Sequence, residues 1–335
     1  MTIFLMTFGF NLGVSMLLNK WLPIWFWELG SAKDSGPEHL RWASGPKPLT
    51  GGAGMAIPIL ITILFLSITG NIAPGIVLFF TACFGIGLLD DRYGLNPWQK
   101  LIAQSACASI LILSDAGFHF TQDPWMDGVI SWLWVIAVLN SINMLDNMDG
   151  VAAAAILSVI SVPVLCSTSH GDTRVLLVAV IAAVLGFLWF NRHPAQIFMG
   201  DSGSHLLGGV LVWFTTATGW NGISLSAIPI EHLTNAYALL LFPFTDTFIV
   251  VFSRIFRGKS PFIGGRDHFT HVLVFAALPQ NRVPIFIALV NLLMGFLITI
   301  LHPPVQWVLF FIGMFTLSMS WLYYRAWQKH TQTLR

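Results

Sequence analysis

Long apolar runs separated by short polar breaks make up most of the chain. Runs near the roughly 20-residue length that crosses a bilayer fall at 3–20, 53–70, 73–89, 100–114, 128–145, 150–167, 174–190, 204–219, 235–253, 283–301 and 305–324. None alternates as a membrane strand would, and an open sheet cannot satisfy its edges in lipid. The pattern therefore predicts an all-α, polytopic transmembrane bundle of about eleven helices, forming one integral-membrane domain over 1–335. The run at 100–114 is the shortest. The polar breaks that carry more than turn residues lie at 90–100, 140–150, 191–204 and 254–271.

Composition turns the pattern into a statement about solvent. The 335 residues are 56% hydrophobic and 9% charged, with mean hydropathy +0.75. Soluble domains carry about a quarter charged residues, so lipid is the main solvent. With the N-terminus outside and one crossing per run, every Lys and Arg except Arg174 falls on the inner side, as the positive-inside rule requires. This predicts a cytoplasmic C-terminus and puts all four polar breaks on the cytoplasmic face. The net charge of +1 says nothing about partners; with no basic run and no nucleic-acid motif, no nucleic-acid partner is expected. Cys83, Cys107 and Cys166 lie in apolar runs without metal-ligand spacing and read as small buried hydrophobes. Met1 to Leu18 lacks a basic n-region and cleavage site, and reads as a first spanning helix. No signal for an oligomeric state is present.

The break at 191–204 runs Asn191-Arg192-His193-Pro194-Ala195-Gln196-Ile197-Phe198-Met199-Gly200-Asp201-Ser202-Gly203-Ser204. Asp201 sits between glycines. A helix opening after Gly203 would offer N–H groups to an anion. Oxygen ligands beside a phosphate suit Mg²⁺, with Mn²⁺ as an alternative, because Mg²⁺ takes only one or two protein carboxylates. Asp90 and Asp91 are adjacent carboxylates that repel unless a cation is near, and Lys100 opens the next helix. A solvated helix end accounts for one such acid, not for the pair. Asn140, Asn143, Asp146 and Asp149 recur every three residues before Gly150. Three-residue steps drift by about 60° on an α-helix, so the row predicts a turn or break near Gly150.

The loop from Arg254 to His271 holds Arg254, Arg257, Lys259, Arg266, His268 and His271. An inner anchor loop accounts for the arginines but not the histidines, which could grip a pyrophosphate. As zinc ligands they lack further ligands nearby. Asp246 lies inside an apolar run and is a functional candidate by default. The segment from Pro46 to Gly52 reads as a contributing loop. The remaining histidines receive no role.

In order along the chain, these motifs resemble the polyprenyl-phosphate N-acetylhexosamine-1-phosphate transferases from about Pro46 to His271. The family's paired aspartates with a downstream lysine match Asp90, Asp91 and Lys100. Its Asn-x-x-Asn-x-x-Asp-x-x-Asp-Gly row matches Asn140 to Gly150, and its Asn-x-x-Pro-Ala-x-x-Phe-Met-Gly-Asp-x-Gly-Ser motif matches Asn191 to Ser204. Asn147 stands where the family usually has glycine and Val151 where it has leucine. His268-Phe269-Thr270-His271 looks unlike the triple-histidine form of the phospho-N-acetylmuramoyl-pentapeptide transferases and closer to the branch using UDP-N-acetylglucosamine.

The resemblance implies a multi-pass enzyme of the bacterial inner membrane. A polyprenyl phosphate attacks a UDP-N-acetylhexosamine and UMP leaves, in the first membrane step of cell-envelope polysaccharide synthesis. It implies catalytic roles for Asp90, Asp91, Asp149 and Asp201. Asp201 and Asp91 would hold Mg²⁺, and Asp90 would serve the lipid phosphate as base, orienting group or nucleophile. Lys100, Asn140, Asn143, Asp146, Asn191, Arg266, His268 and His271 would bind substrate. Two other readings compete: a phospho-N-acetylmuramoyl-pentapeptide transferase, and an ion-coupled transporter, for which Asp246 is the best feature.

Overall fold

The computed structural model describes residues 2–25, 47–119, 121, 123–166, 171–216, 229–261, 265, 267–301 and 303–333. Arg266, Pro46, and Lys33, Arg41 and Arg335 of the charge argument lie outside the described residues. The α-helices in chain order are α1 (Thr2–Trp25), α2 (Gly51–Ile68), α3 (Pro74–Tyr93), α4 (Pro97–Leu113), α5 (Pro124–Leu145), α6 (Val151–Cys166), α7 (Asp172–Asn191), α8 (Gly200–Thr216), α9 (Pro229–Leu239), α10 (Leu241–Phe256), α11 (Phe269–Phe275), α12 (Val283–Leu301) and α13 (Val305–Thr333). The all-helical, multi-pass expectation holds. Each apolar run becomes helix, with two differences in detail.

The run at 235–253 is not one rod: α9 and α10 meet at an 81° bend. Among the described residues, seven helices, or eight if the bent pair is one span, are long and apolar enough to cross a membrane. Among the rest, α4, α6 and α8 have 17, 16 and 17 residues. At 1.5 Å per residue each reaches about 24–26 Å, short of the roughly 30 Å hydrocarbon core. Their apolar character serves packing as much as spanning. From Ser202 to Thr216 every residue of α8 is buried.

Helix α8 is the centre of the bundle. It packs against α3, α5 and α2 and touches α6. Lipid supplies little hydrophobic drive between helices, so close contact depends on small residues and van der Waals fit. Gly208 faces α5, where an added Cβ would lie 3.0 Å from Leu139, and Gly209 faces α3, where it would lie 2.9 Å from Cys83 Sγ. Cys83 and Cys107 are free thiols buried in this core. Large apolar side chains such as Leu113 (87% exposed) and Phe256 (84%) face outward, as expected of surfaces solvated by lipid.

Helix α1 joins α7 and α2 through a buried polar stripe at four-residue spacing. Asn11 Nδ2 donates to Thr62 Oγ1 (3.0 Å), Ser15 Oγ donates to the Ala183 carbonyl (2.7 Å), and Asn19 Nδ2 donates to Ser15 Oγ (3.1 Å). The first two are interhelical, and bonds of that kind contribute about 1 kcal/mol each in a membrane, while the third, within α1, orients Ser15. They set the register of α1 on the two helices whose ends carry the site.

Candidate active site

The turn between α3 and α4 brings the first acids to the first lysine. Gly94 ends α3 with a left-handed backbone (φ 67°), a conformation glycine adopts without the Cβ penalty. Asn96 then caps α4: its side chain accepts from Gln99 N, and the Gln99 side chain accepts from Asn96 N, with Pro97 in the first turn. Within this short connection Leu95 N donates to Asp90 Oδ1 (2.8 Å). Lys100 Nζ is left in an ion pair with Asp90 Oδ2, and it also reaches Asp201 Oδ2 at 3.3 Å. Asp90 is buried.

Helix α8 opens at Gly200, not after Gly203, because its cap comes from another helix. Asp91 Oδ1 accepts from Asp201 N (2.7 Å) and Oδ2 from Ser202 N (2.9 Å). The N–H groups expected to meet an anion are thus taken by Asp91, whose carboxylate acts as a remote N-cap. Gly200 has φ +72°, and a Cβ there would sit 2.7 Å from Asp91 Oδ2. Gly87 on α3 and Gly52 on α2 likewise leave no room for a Cβ, the first against the Asp201 carbonyl and the second against Ser202. Asp201 is therefore carried on a backbone pressed between α2 and α3.

The polar row on α5 divides as its geometry requires. Asn140 and Asn143 lie on the last turns of α5, which ends at Leu145; Asp146 caps it, and the chain turns through Gly150 (φ +74°) into α6. The break expected near Gly150 thus begins four residues earlier. Asn143 Nδ2 donates to Asp201 Oδ1 and, at 3.0 Å, to Ser204 Oγ. Asn140 turns away from the carboxylates and donates to Gln104 Oε1 (2.9 Å).

Asp149 and Asn191 tie down the 191–199 loop. Asp149 Oδ2 accepts from His193 Nδ1 (2.9 Å) and Ala195 N (3.0 Å). Asn191 Oδ1 accepts from Gly150 N and its Nδ2 donates to the Ile197 carbonyl, both at 2.9 Å. The 47–52 segment docks on the same loop: Phe198 N donates to the Pro48 carbonyl (2.9 Å), and Gly51 N and Gly52 N donate to the carbonyls of Phe198 (3.0 Å) and Met199 (2.9 Å). Lys47 Nζ donates to the Ala195 carbonyl and lies 5.5 Å from the centre of the Phe198 ring. The segment expected as a contributing loop is a wall of the site.

Asp146 records the local field. Burial, then the charges of Asp201, Asp91 and Asp149, push its carboxyl up to about 7. Folding therefore favours the protonated form: the stability it confers is full below the unfolded value of 3.8 and is lost as pH rises through about 7. Without added divalent cation, Asp146→Asn is expected to raise Tm above that of the wild type at pH 8. The advantage should shrink toward pH 5. A thermal-shift series across this range checks it, and a pH-independent difference would contradict the assignment.

A second cluster forms around the histidines. The intramembrane candidate Asp246 accepts from His268 Nδ1 (2.8 Å) and Phe269 N (2.6 Å), so it fixes the imidazole and starts α11. Asp267 accepts from Arg254 (3.0 and 2.6 Å) and Arg257 (3.0 Å). Burial alone would push Asp267 up, but the Arg254 bonds and charge, with His268 and Arg257, hold it below the usual carboxylate range. Burial, then neighbouring His268, push His271 down to about 4, so it is neutral at pH 7. The two rings are 5.8 Å apart. Thr270 Oγ1 donates to Asn147 Oδ1 at 2.6 Å, linking this cluster to the acidic one.

The acidic end brings Asp91, Asn143 and Asp146 to Asp201, which shares Lys100 with Asp90, an excess of carboxylate that calls for further positive charge. Among the described residues, no three His, Cys, Asp or Glu side chains converge as a metal cage by themselves. The oxygen donors fit a hard cation that completes its shell with water and substrate, as Mg²⁺ does. Three residues given no role from sequence belong here: His193, Gln104 and His205. Gln104 lies one turn beyond Lys100, and His205 directly follows the Gly-Asp-x-Gly-Ser string; those positions were the available signal.

An apolar bundle that concentrates carboxylates, amides, one lysine and two histidines at helix ends defines a multi-pass membrane protein with a polar transfer site. A family model described as glycosyl transferase family 4 matches residues 73–219. The probable undecaprenyl-phosphate N-acetylglucosaminyl 1-phosphate transferase of Bacillus subtilis is 28% identical over 240 residues, 68% of this chain and 65% of that protein. The decaprenyl-phosphate N-acetylglucosaminephosphotransferase of Mycolicibacterium smegmatis is 30% identical over 283 residues, 73% of this chain and 69% of that protein. The phospho-N-acetylmuramoyl-pentapeptide-transferase of Clostridioides difficile is 34% identical over 227 residues, 60% and 68% of the respective chains. The aligned stretch thus spans about two thirds of the length of these relatives. The chain belongs to glycosyl transferase family 4 and is a membrane-embedded transferase.

Proposed function

We propose that the protein transfers N-acetylglucosamine 1-phosphate from UDP-N-acetylglucosamine to a polyprenyl phosphate and releases UMP, at the cytoplasmic face of a bacterial inner membrane. The observation that carries this reading is Lys100 held between Asp90 and Asp201, with Asn143 on the second Asp201 oxygen. Phosphoryl transfer asks mainly for positioning and for charge stabilisation, and this arrangement supplies both. Two of the three relatives above bear N-acetylglucosamine names, and Thr270, donating to Asn147, occupies the histidine segment.

Asp201, with the remaining lone pairs of Asp91, would hold Mg²⁺, and Asp146 would shape the site beside them. When bound, the ion neutralises charge on the pyrophosphate oxygens. Asp90, fixed by Leu95 N and Lys100, orients the lipid phosphate or takes its proton. Lys100 faces the developing charge. Asp149 and Asn191 shape the nucleotide wall through the 191–199 loop instead of touching the reacting atoms. The Asp246–His268 pair and neutral His271 would line the side of the site that receives the sugar phosphate. The lipid tail lies among the outward-facing apolar side chains, so both substrates meet at the membrane boundary.

The test is purified full-length protein with Mg²⁺, undecaprenyl phosphate and a panel of UDP-sugars that includes UDP-N-acetylmuramoyl-pentapeptide, scored for UMP. UDP-N-acetylglucosamine is expected to turn over fastest. Chelation should stop release and added Mg²⁺ should restore it. Preference for the pentapeptide substrate would move the protein to that branch, and UMP release that survives chelation would remove the cation from the scheme.

A further inference from the structure

Beneath the Lys100–Asp201–Asn143 contact lies a second set of polar side chains from the same three helices. Each member is one helical turn from its counterpart: Gln104 follows Lys100 by four residues on α4, His205 follows Asp201 by four on α8, and Asn140 precedes Asn143 by three on α5. Gln104 is 1% and His205 0% exposed.

The hydrogen bonds run in one direction. Asn140 Nδ2 donates to Gln104 Oε1 (2.9 Å), which orients the amide so that Gln104 Nε2 points at His205 Nε2 (3.2 Å). Both amide nitrogens are donors, so His205 Nε2 must be the bare acceptor and Nδ1 must carry the proton. Nδ1 faces the Asp201 carbonyl at 2.9 Å and donates to it; Ser204 Oγ reaches the same carbonyl at 3.2 Å. Asn140 Nδ2 also donates to the Ile136 carbonyl at 2.8 Å, which anchors the row to α5. A leucine at 205 would leave Gln104 Nε2 facing an apolar group. Unmet polar groups of that kind are costly away from water.

We propose that His205, held as the neutral Nδ1–H tautomer by Gln104 and Asn140, is a positioning residue that sets the Asp201 backbone against Lys100. The layer ties α4, α5 and α8 together one turn behind the reacting groups. It thereby fixes the spacing of the lysine, the asparagine and the carboxylate that the transfer uses. The kinetic arm of this proposal rests on the function proposed above; its spectroscopic arm does not.

The experiment compares full-length wild type, His205→Leu, His205→Asn and Gln104→Leu in UMP release, with size exclusion and thermal unfolding as controls. His205→Leu is expected to lower kcat by about tenfold or more, with KM for the UDP-sugar changed by less than about twofold, the scale seen when supporting partners of a site are removed. His205→Asn places an amide N–H where Nδ1–H stood, and is expected to return kcat to within about threefold of wild type. The Gln104→Leu/His205→Leu double variant should be no slower than the slower single one, because the two act in one chain. Equal losses for the Asn and Leu variants, or a His205→Leu kcat within about twofold of wild type, would overturn the proposal.

¹⁵N-histidine NMR of the wild-type chain, assigned by the signal missing in His205→Asn, should show a neutral imidazole protonated at Nδ1. A proton on Nε2 would equally overturn the proposal. Absence of UMP release by wild type with every UDP-sugar would defeat the proposed function alone, and the tautomer would then decide this one.

Discussion

Asp201→Asn is expected to reduce UMP release by on the order of a hundred- to a thousandfold, the range over which removal of one preorganised polar group acts on a developing charge. The carboxylate has two oxygens with two different partners, Asn143 Nδ2 on Oδ1 and Lys100 Nζ on Oδ2. An asparagine has one acceptor oxygen. Either its amide faces the Lys100 ammonium, donor against donor, or it faces the Asn143 amide with the same result. The change therefore removes a charge and misplaces a neighbour together. Folding should survive, because Asp91 caps the backbone N–H groups of 201 and 202, not the side chain. Measured kcat with an unchanged unfolding profile checks this; near-normal turnover would remove Asp201 from the site.

Lys100→Met is expected to lower kcat by about a hundredfold or more, with no recovery in Lys100→Arg. Lys100 is partly buried between Asp90 and Asp201. Without the ammonium the two acids face one another, and one must take up a proton because like charges at that range cannot both ionise. An ammonium presents a point charge to two carboxylates at once, whereas a guanidinium presents a planar fork that is too wide for the same gap. Single-turnover measurements with saturating UDP-sugar separate this from weakened binding: the loss should lie in the chemical step. A variant that recovers full rate at high substrate would show that Lys100 serves binding alone.

How much of this was legible beforehand differs by level. The apolar runs located every α-helix except α11, and merged only α9 with α10, because lipid imposes a single demand, that every backbone group be satisfied inside its own helix. The row from Asn140 to Asp149 was readable as a site for the same reason, since amides and acids are costly at the end of an oily helix. Asp91 was read as a cation ligand; that its two oxygens also cap α8 was not readable, because the sequence near Asp91 contains no trace of a helix that begins 109 residues later at Gly200. Asp246 looked like an ion-path acid until His268 and Phe269 N appeared as its partners. His205 and His193 looked like scattered histidines because their partners, Gln104 and Asp149, lie 101 and 44 residues away.

Solvent preference, helix content and the chemical kinds of group at the site were determined by the order of residues alone, because each depends on local pattern and on the surrounding medium. Which carboxylate faces Lys100, which one caps a helix, and which amide orients a histidine were decided only by tertiary structure. Those roles depend on how closely α2, α3, α5 and α8 approach, and that approach is set by glycines such as Gly52, Gly87 and Gly208 meeting backbone or side chains from distant parts of the chain.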